Sequence, residues 1–431
     1  MLLTELPRTG EKQILAAGIR CADEPVISNS LRAAHGEIPL AELARQSDAV
    51  LVYEATAEAE IGESLVALME ELPADERAFI ALVPRAECPA IDSSYAEPIA
   101  SFMCSADVFL RFLDLGIDCY PETLCFAVLR AIANGDIEVD RLLVRQIPFL
   151  RRHIVTPAAG GPAAALVLPH RGNTAFLRAS LKQIARAAGS SVKVRVGLDI
   201  DDESLYTSFP EEFPEAEFFH FSPAPVGPYL IRQQLAERSP EPLLTLQDSD
   251  DLSCYDRFTS LSAALDATDS DIVGSHELCL DELRAVVQPV RFPLDSSASL
   301  DTCANHALLH ATLMCHRHAF FRAGGLATNL IIASDSQFLL RAWFSARIRN
   351  VDEFLYIRRR HATSLTNAPE TVYDNPLRRR LSADWTRDFY AVKRGELTIE
   401  TSSLWPAARQ EPFEIRSLTA QDKYRNATAP V

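Results

Sequence analysis

The chain has 431 residues, 48% of them hydrophobic and 23% charged, which excludes a disordered or fibrous chain and fits a soluble globular protein of two or three domains. Its formal net charge of −17 excludes a general nucleic-acid binder, which needs a basic face to displace counterions. An anionic small ligand would therefore need a metal ion or a local basic patch.

The opening "MLLTELPRTGEKQ" holds too short an apolar run for a secretory signal, and no stretch approaches the roughly 20 apolar residues of a membrane span. The nine cysteines stand singly with no CxxC pair, as in a reduced intracellular protein. A cytoplasmic location is the expectation.

In chain order, "DAVLVYEA" (48–55) predicts a buried strand, "IGESLVALMEEL" a helix and "AFIALV" (78–83) a second strand, a β-α-β rhythm. The stretch from Ser105 to Leu143 reads as two helices broken between Gly116 and Pro121. No chemical motif marks these first 150 residues. "TPAAGGP" (156–162) is small and proline-bounded, a linker by composition. Beyond it "AAALVLP" (163–169) is a strand. "NTAFLRASLKQIARAAG" is a helix with Leu177, Leu181 and Ile184 on one face, and "SVKVRVGLD" alternates as a half-buried strand does. "AEFFHF", a helix opened by Pro228, and "PLLTLQ" follow, then "DIVGSH", a helix through "SDSQFLLRAWFSARI" and the extended "VDEFLYIRR". The reading is α/β: an N-terminal α/β domain over 1–155, a catalytic domain with a mainly parallel sheet over 156–375, and a helical C-terminal extension over 376–431.

Both acidic clusters, after "VRVGL" and after "LLTLQ", fall at carboxyl ends of strands, where such folds bind ligands. Asp248, Ser249 and Asp250 form a D-x-D arrangement, whose alternate carboxylates offer hard oxygen ligands to magnesium or manganese beside substrate phosphate. His306 and His310 stand at i, i+4, with His316 and His318 nearby. That spacing suits zinc on a helix, but Ala307 stands where the metalloprotease signature needs Glu. Structural packing or an acceptor pocket is the plainer reading. Phe320, Phe321, Trp343 and Phe344 read first as core; Trp343 would stack on a ligand only if it faced Asp335.

From 163 to 366 the chain resembles a family 2 glycosyltransferase of the GT-A fold. "LVLPHRGNTAFLRASLKQIA" is similar to that family's opening strand, proline and helix, with His170 and Arg171 where an aromatic residue and Asn are common. "VGLDIDD" resembles its second strand, "LLTLQDSDD" its D-x-D-D element, and the stretch from Leu313 to Thr366 its acceptor half with a Gly-Gly turn and a "YxRRxH..S.T" ending. The resemblance implies an inverting transfer from a nucleotide-sugar donor, a UDP-sugar first, with manganese or magnesium. It implies Pro169, Arg171, Asp199, Asp248, Asp251, Gly324, Gly325 and Arg359 around the donor, and Asp250 and His361 on the metal. Asp335 becomes the general base, with Ser334 where the family has Glu. The acceptor is left as a glycan, a lipid-linked sugar, a small molecule or a protein. A homodimer and a peripheral membrane contact through Arg378 to Arg380 stay open. A sugar nucleotidyltransferase is the rival enzyme, though "LPHRGNTAF" holds one glycine where a glycine-rich loop is expected. A glycosyltransferase-like binding module without activity is the rival from another class.

Overall fold

The computed structural model describes residues 40–419 except 55–57, 73–74, 92, 118, 120–122, 149–162, 188–191, 305, 369–370 and 373, and before them the strands at 2–5, 14–19, 31–33 and 36–38. The expected linker at 156–162 lies outside the described residues.

The first sheet runs, in spatial order, Leu2–Glu5, Ile14–Ile19, Ala49–Glu54, Phe102–Ser105, Ala78–Pro84 and Arg141–Ile147. Four of these strands are absent from the sequence expectation, and two of the four change its β-α-β reading. Phe102–Ser105 lies antiparallel between Ala49–Glu54 and Ala78–Pro84, so the expected β-α-β strands are not neighbours. Arg141–Ile147 is a strand where the pattern predicts the end of a helix. That helix, Leu124–Asn134, stops at Gly135 in the left-handed region, φ 82°, a conformation open to glycine without penalty. The next apolar stretch then pairs parallel with Ala78–Pro84.

The second sheet has a parallel centre. Glu217–Ser222, Val192–Leu198, Ala164–His170 and Leu243–Leu246 lie side by side. Met314–His316 joins antiparallel, followed by Ile272–Asp281, Ile348–Arg360 and Leu252–Ser253. Ala164–His170 is buried throughout because helices cover both of its faces. Ala165 and Val167 enter one core with the helix Pro228–Glu237, while Ala164, Leu166 and Leu168 enter the other with Thr174–Arg186. That alternation is the period-2 rule acting on an apolar run. The mixed α/β architecture with a mainly parallel centre therefore stands as the sequence implied.

The two sheets share one core. Phe79 and Leu142 of the first, with Val128 of the helix Leu124–Asn134, pack in the same cluster as Leu278, Leu280, Phe354 and Ile357 of the second. The extension after 376 is only partly helical. Pro376–Lys393 is a helix that buries Trp385 and Phe389, but Glu414–Ser417 returns as an edge strand antiparallel to Glu217–Ser222. Among the described residues, no helix is long and apolar enough to cross a membrane.

Candidate active site

Parallel register brings the carboxyl ends of three strands together: His170, Leu198 and Leu246 end neighbouring strands. The acids follow directly. The segment after Leu246 is fixed by Arg257, fully buried, which donates to Gln247 Oε1 at 2.7 Å, Leu246 O at 2.7 Å and Ala311 O at 2.8 Å. Burial lowers its pKa to about 10. Gln247 donates in turn to Ser180 Oγ at 2.6 Å and Asp251 O at 3.2 Å. These bonds hold the turn closed by Asp251 N–H on Asp248 O at 3.3 Å.

Within the turn the three acids have different surroundings. Asp248 is ion-paired to the buried Arg232 yet keeps 44% of its side chain exposed. Asp250 faces His361, Oδ2 to Nε2 at 2.9 Å. His361 is fixed by Thr363 Oγ1 at 2.9 Å and by an edge contact with Phe176, ring centres 5.1 Å apart. Asp251 is buried and accepts Tyr356 O–H at 2.7 Å and Arg359 N–H at 2.7 Å. Burial raises the pKa of Asp251 well above the ordinary carboxylate range, and Asp250 and Asp248 add to it. Asp248 is raised as well, by the protein packed round it and by Asp250 and Asp335, against the pull of Arg232. Crowded carboxylates with raised pKa values are a site that a cation would relieve.

Asp335 lies in the first turn of the helix Ser334–Ala342, where the helix N-terminus favours a carboxylate. It accepts Tyr229 O–H at 3.0 Å. Burial pushes its pKa up, but His310, His306, the Tyr229 hydroxyl and the Ser336 N–H together hold it below the usual range. Burial drives the pKa of His310 itself down to about 3. Ala333, the residue before that helix, has φ 60°, an unusual left-handed conformation for a non-glycine residue beside a candidate catalytic group. Ser334, standing where an acid is common, is buried and accepts Ala327 N–H at 2.8 Å.

Several expected donor contacts are engaged elsewhere. Both oxygens of Asp199 accept backbone N–H groups, from Val226 at 2.8 Å and Gly227 at 3.1 Å, pinning that loop. Arg171 is exposed just past the buried Pro169. Gly324 and Gly325 close a turn at φ 82° and 64°, and a Cβ on Gly325 would meet Gln233 Oε1 at 2.3 Å. Their conformation answers to that close packing. The basic patch at 358–360 dissolves: Arg358 pairs with Glu277 at 2.8 Å, Arg359 with Glu282, and Arg360 with Asp281 at 3.1 Å. Arg359 also donates to Ala133 O at 3.1 Å and lies 3.7 Å over the Phe176 ring. Its guanidinium is a pin between the two halves of the chain that also feels the charge of Asp250, while its N–H holds Asp251.

The helical zinc spacing is absent. His310 sits in the single 3-10 turn His310–Thr312 and His306 in irregular chain, so the i, i+4 face never forms. No grouping of those histidines that could hold an ion occurs among the described residues. Trp343, at the far end of the Asp335 helix, donates to Ser297 O at 2.9 Å and packs edge-on to Phe389. Tyr356, from the expected "YxRRxH" ending, and His310, from the histidine group, complete the site with Tyr229 and Arg232, which no motif marks. Of the last two, Arg232 alone carried a signal, an arginine inside the otherwise apolar face "YLIRQQL".

No protein-family model and no curated protein matches the chain. The solved structures similar to it include glycosyltransferases. S. aureus TarS 1-349 in complex with UDP-GlcNAc is 13% identical, with 56% of this chain and 74% of that one covered and a TM-score of 0.41. TarS 1-349 in complex with UDP gives 13%, 56%, 73% and 0.39. Mannosyltransferase PcManGT from Pyrobaculum calidifontis, in complex with GDP-Man and Mn2+, gives 13%, 55%, 65% and 0.38.

Proposed function

We propose that the protein is a metal-dependent, inverting glycosyltransferase of GT-A, family 2 type, moving a sugar from a nucleotide-sugar donor, a UDP-sugar first, to an acceptor hydroxyl or other nucleophile. The observation that carries the reading is the convergence of two kinds of group at one sheet edge. Asp248, Asp250 and His361 are suited to a cation and a diphosphate, and Asp335, held by Tyr229, is suited to a proton.

The residues fit a divalent ion. Asp250 and His361 bring an oxygen and a nitrogen donor to within 2.9 Å of each other, and two protein ligands leave the remaining positions to phosphate and water, as magnesium and manganese prefer. When bound, the ion would offset charge on the departing diphosphate. This chain's own residues do the rest. Tyr356 and the Arg359 N–H hold Asp251, so the acidic turn keeps its shape. Arg232 holds Asp248 toward the nucleoside, and Asp199 fixes the loop at 222–227 that borders the donor. Asp335 Oδ2 takes the proton of the acceptor as it attacks the anomeric carbon from the face opposite the leaving group, while Tyr229 keeps Oδ1 occupied. A carboxylate held in the first turn of a helix suits that task better than one in a loop.

The test is release of nucleoside diphosphate from UDP- and GDP-sugars with manganese, wild type against Asp335→Asn. Turnover in wild type, lost in the variant with donor binding kept, is the expected outcome. Nucleotide binding with no turnover on any donor in either protein would favour a binding module.

A further inference from the structure

A second group of metal-type donors lies outside the acidic turn, where the two sheets meet. Cys88 stands in the loop that leaves the strand Ala78–Pro84, His276 in Ile272–Asp281 and Asp352 in Ile348–Arg360. The latter two strands pair in parallel, but their register slips between Gly274 and Glu277, where Gly274 faces Asn350 and His276 faces Phe354. Such a bulge re-aims side chains, and here both His276 and Asp352 sit in it. Cys88 Sγ to His276 Nε2 is 3.3 Å, His276 Nε2 to Asp352 Oδ1 is 3.4 Å, and Cys88 Sγ to Asp352 Oδ1 is 3.5 Å.

Those three separations fit one face of a small tetrahedron. With bonds of about 2.3 Å to sulfur and about 2.0 Å to nitrogen or oxygen, tetrahedral zinc sets its ligands roughly 3.3 to 3.6 Å apart. Thiolate with imidazole and carboxylate selects a zinc-class ion over magnesium or manganese. The donors border a cavity of about 820 Å³ lined by Arg85, Glu87, Pro293, Leu294 and Asp295, with Cys88 and Asp352 in its wall. Asp352 is steadied from behind by Gln146, whose amide donates to Oδ1 at 3.2 Å and to its main-chain oxygen at 3.0 Å, the kind of outer contact that orients a ligating carboxylate.

We infer that Cys88, His276 and Asp352 form a second metal site for a zinc-class divalent ion, with its fourth position open to the cavity for water or a small anion. One contact opposes loading. His276 Nδ1 accepts the Phe292 N–H at 3.2 Å, which places the ring proton on Nε2, between Cys88 and Asp352. Loading therefore requires one net deprotonation and one shift: the Cys88 thiol gives its proton to solvent, and the His276 proton moves to Nδ1 as the Phe292 amide turns aside. Without a metal the same three groups form a hydrogen-bonded clamp between the sheets.

The test uses the full chain stripped with chelator and reloaded with cobalt or zinc. A thiolate-to-cobalt charge-transfer band and one tightly held equivalent are expected in wild type and in Asp250→Ala. The band should vanish in Cys88→Ser, and affinity should fall at least about tenfold in Asp352→Asn. Zinc should also slow alkylation of Cys88 in wild type, read by peptide mass, which needs no variant to fold. A wild type without the band, a band that survives Cys88→Ser, or an alkylation rate unmoved by zinc would overturn the site.

Discussion

Tyr229 donates to Asp335 at 3.0 Å, and this bond sets the first prediction. A hydrogen bond to a charged group contributes about 1.5–3 kcal/mol, so Tyr229→Phe should lower kcat roughly tenfold to a hundredfold with donor KM little changed. Asp335 must be ionised to accept a proton, and its pKa lies below the usual carboxylate range, so activity should hold as pH falls until below that range. Removing the tyrosine donor lets the pKa rise, and the acid limb of kcat/KM should move to higher pH; an unmoved limb would count against the contact. The acidic turn predicts the opposite sign for metal binding. Asp248 and Asp251 are raised, so protons compete with the ion, manganese affinity should climb with pH, and binding should release protons. Calorimetry in buffers of different ionisation enthalpy would read that release, and a pH-independent affinity would contradict it. Asp248 and Asp250 could be picked out as acids that follow a strand, and Asp335 and His361 through the family resemblance. Tyr229 could not, since its partner lies 106 residues away.

The strand Ile348–Arg360 shows what local pattern cannot reveal. Its extended centre was readable at 351–359, short of the full strand, but "RRR" looked like a phosphate clamp because its neighbours in the sheet were invisible. Those neighbours are Glu277, Asp281 and Glu282 from 77 to 81 residues earlier. Arg359 is 5% exposed, and breaking a buried pair by removing one partner costs about 3–5 kcal/mol. Arg359→Ala should therefore lower the thermal midpoint by several degrees, while nucleotide affinity of the folded protein stays near wild type. A variant of unchanged stability that no longer binds nucleotide would restore the clamp. The glycines at 324 and 325 tell the same story: the turn was readable, but the packing of Gln233 against it was not.

For the whole molecule, the shared core means that the two sheets, though separate, are packed into one body. Leu278, Leu280, Phe354 and Ile357 are at most 1% exposed, and each large apolar side chain left bare forfeits about 1.5–3 kcal/mol. A chain of residues 163–419 alone should lack a cooperative thermal transition and should associate; a cooperative, monomeric product would show that the first sheet is dispensable. Composition suggested a boundary at 156–162, but this interface was not legible, because it joins the two sheets across the chain.

The central claim is that the turn after Leu246 binds a nucleoside diphosphate through a divalent ion. Calorimetric titration of UDP into wild type and Asp250→Ala, each with and without manganese, tests it most directly. Binding to wild type that requires manganese and weakens at least about tenfold in the variant is the predicted result. Equal affinity in both proteins, or affinity indifferent to manganese, would contradict it.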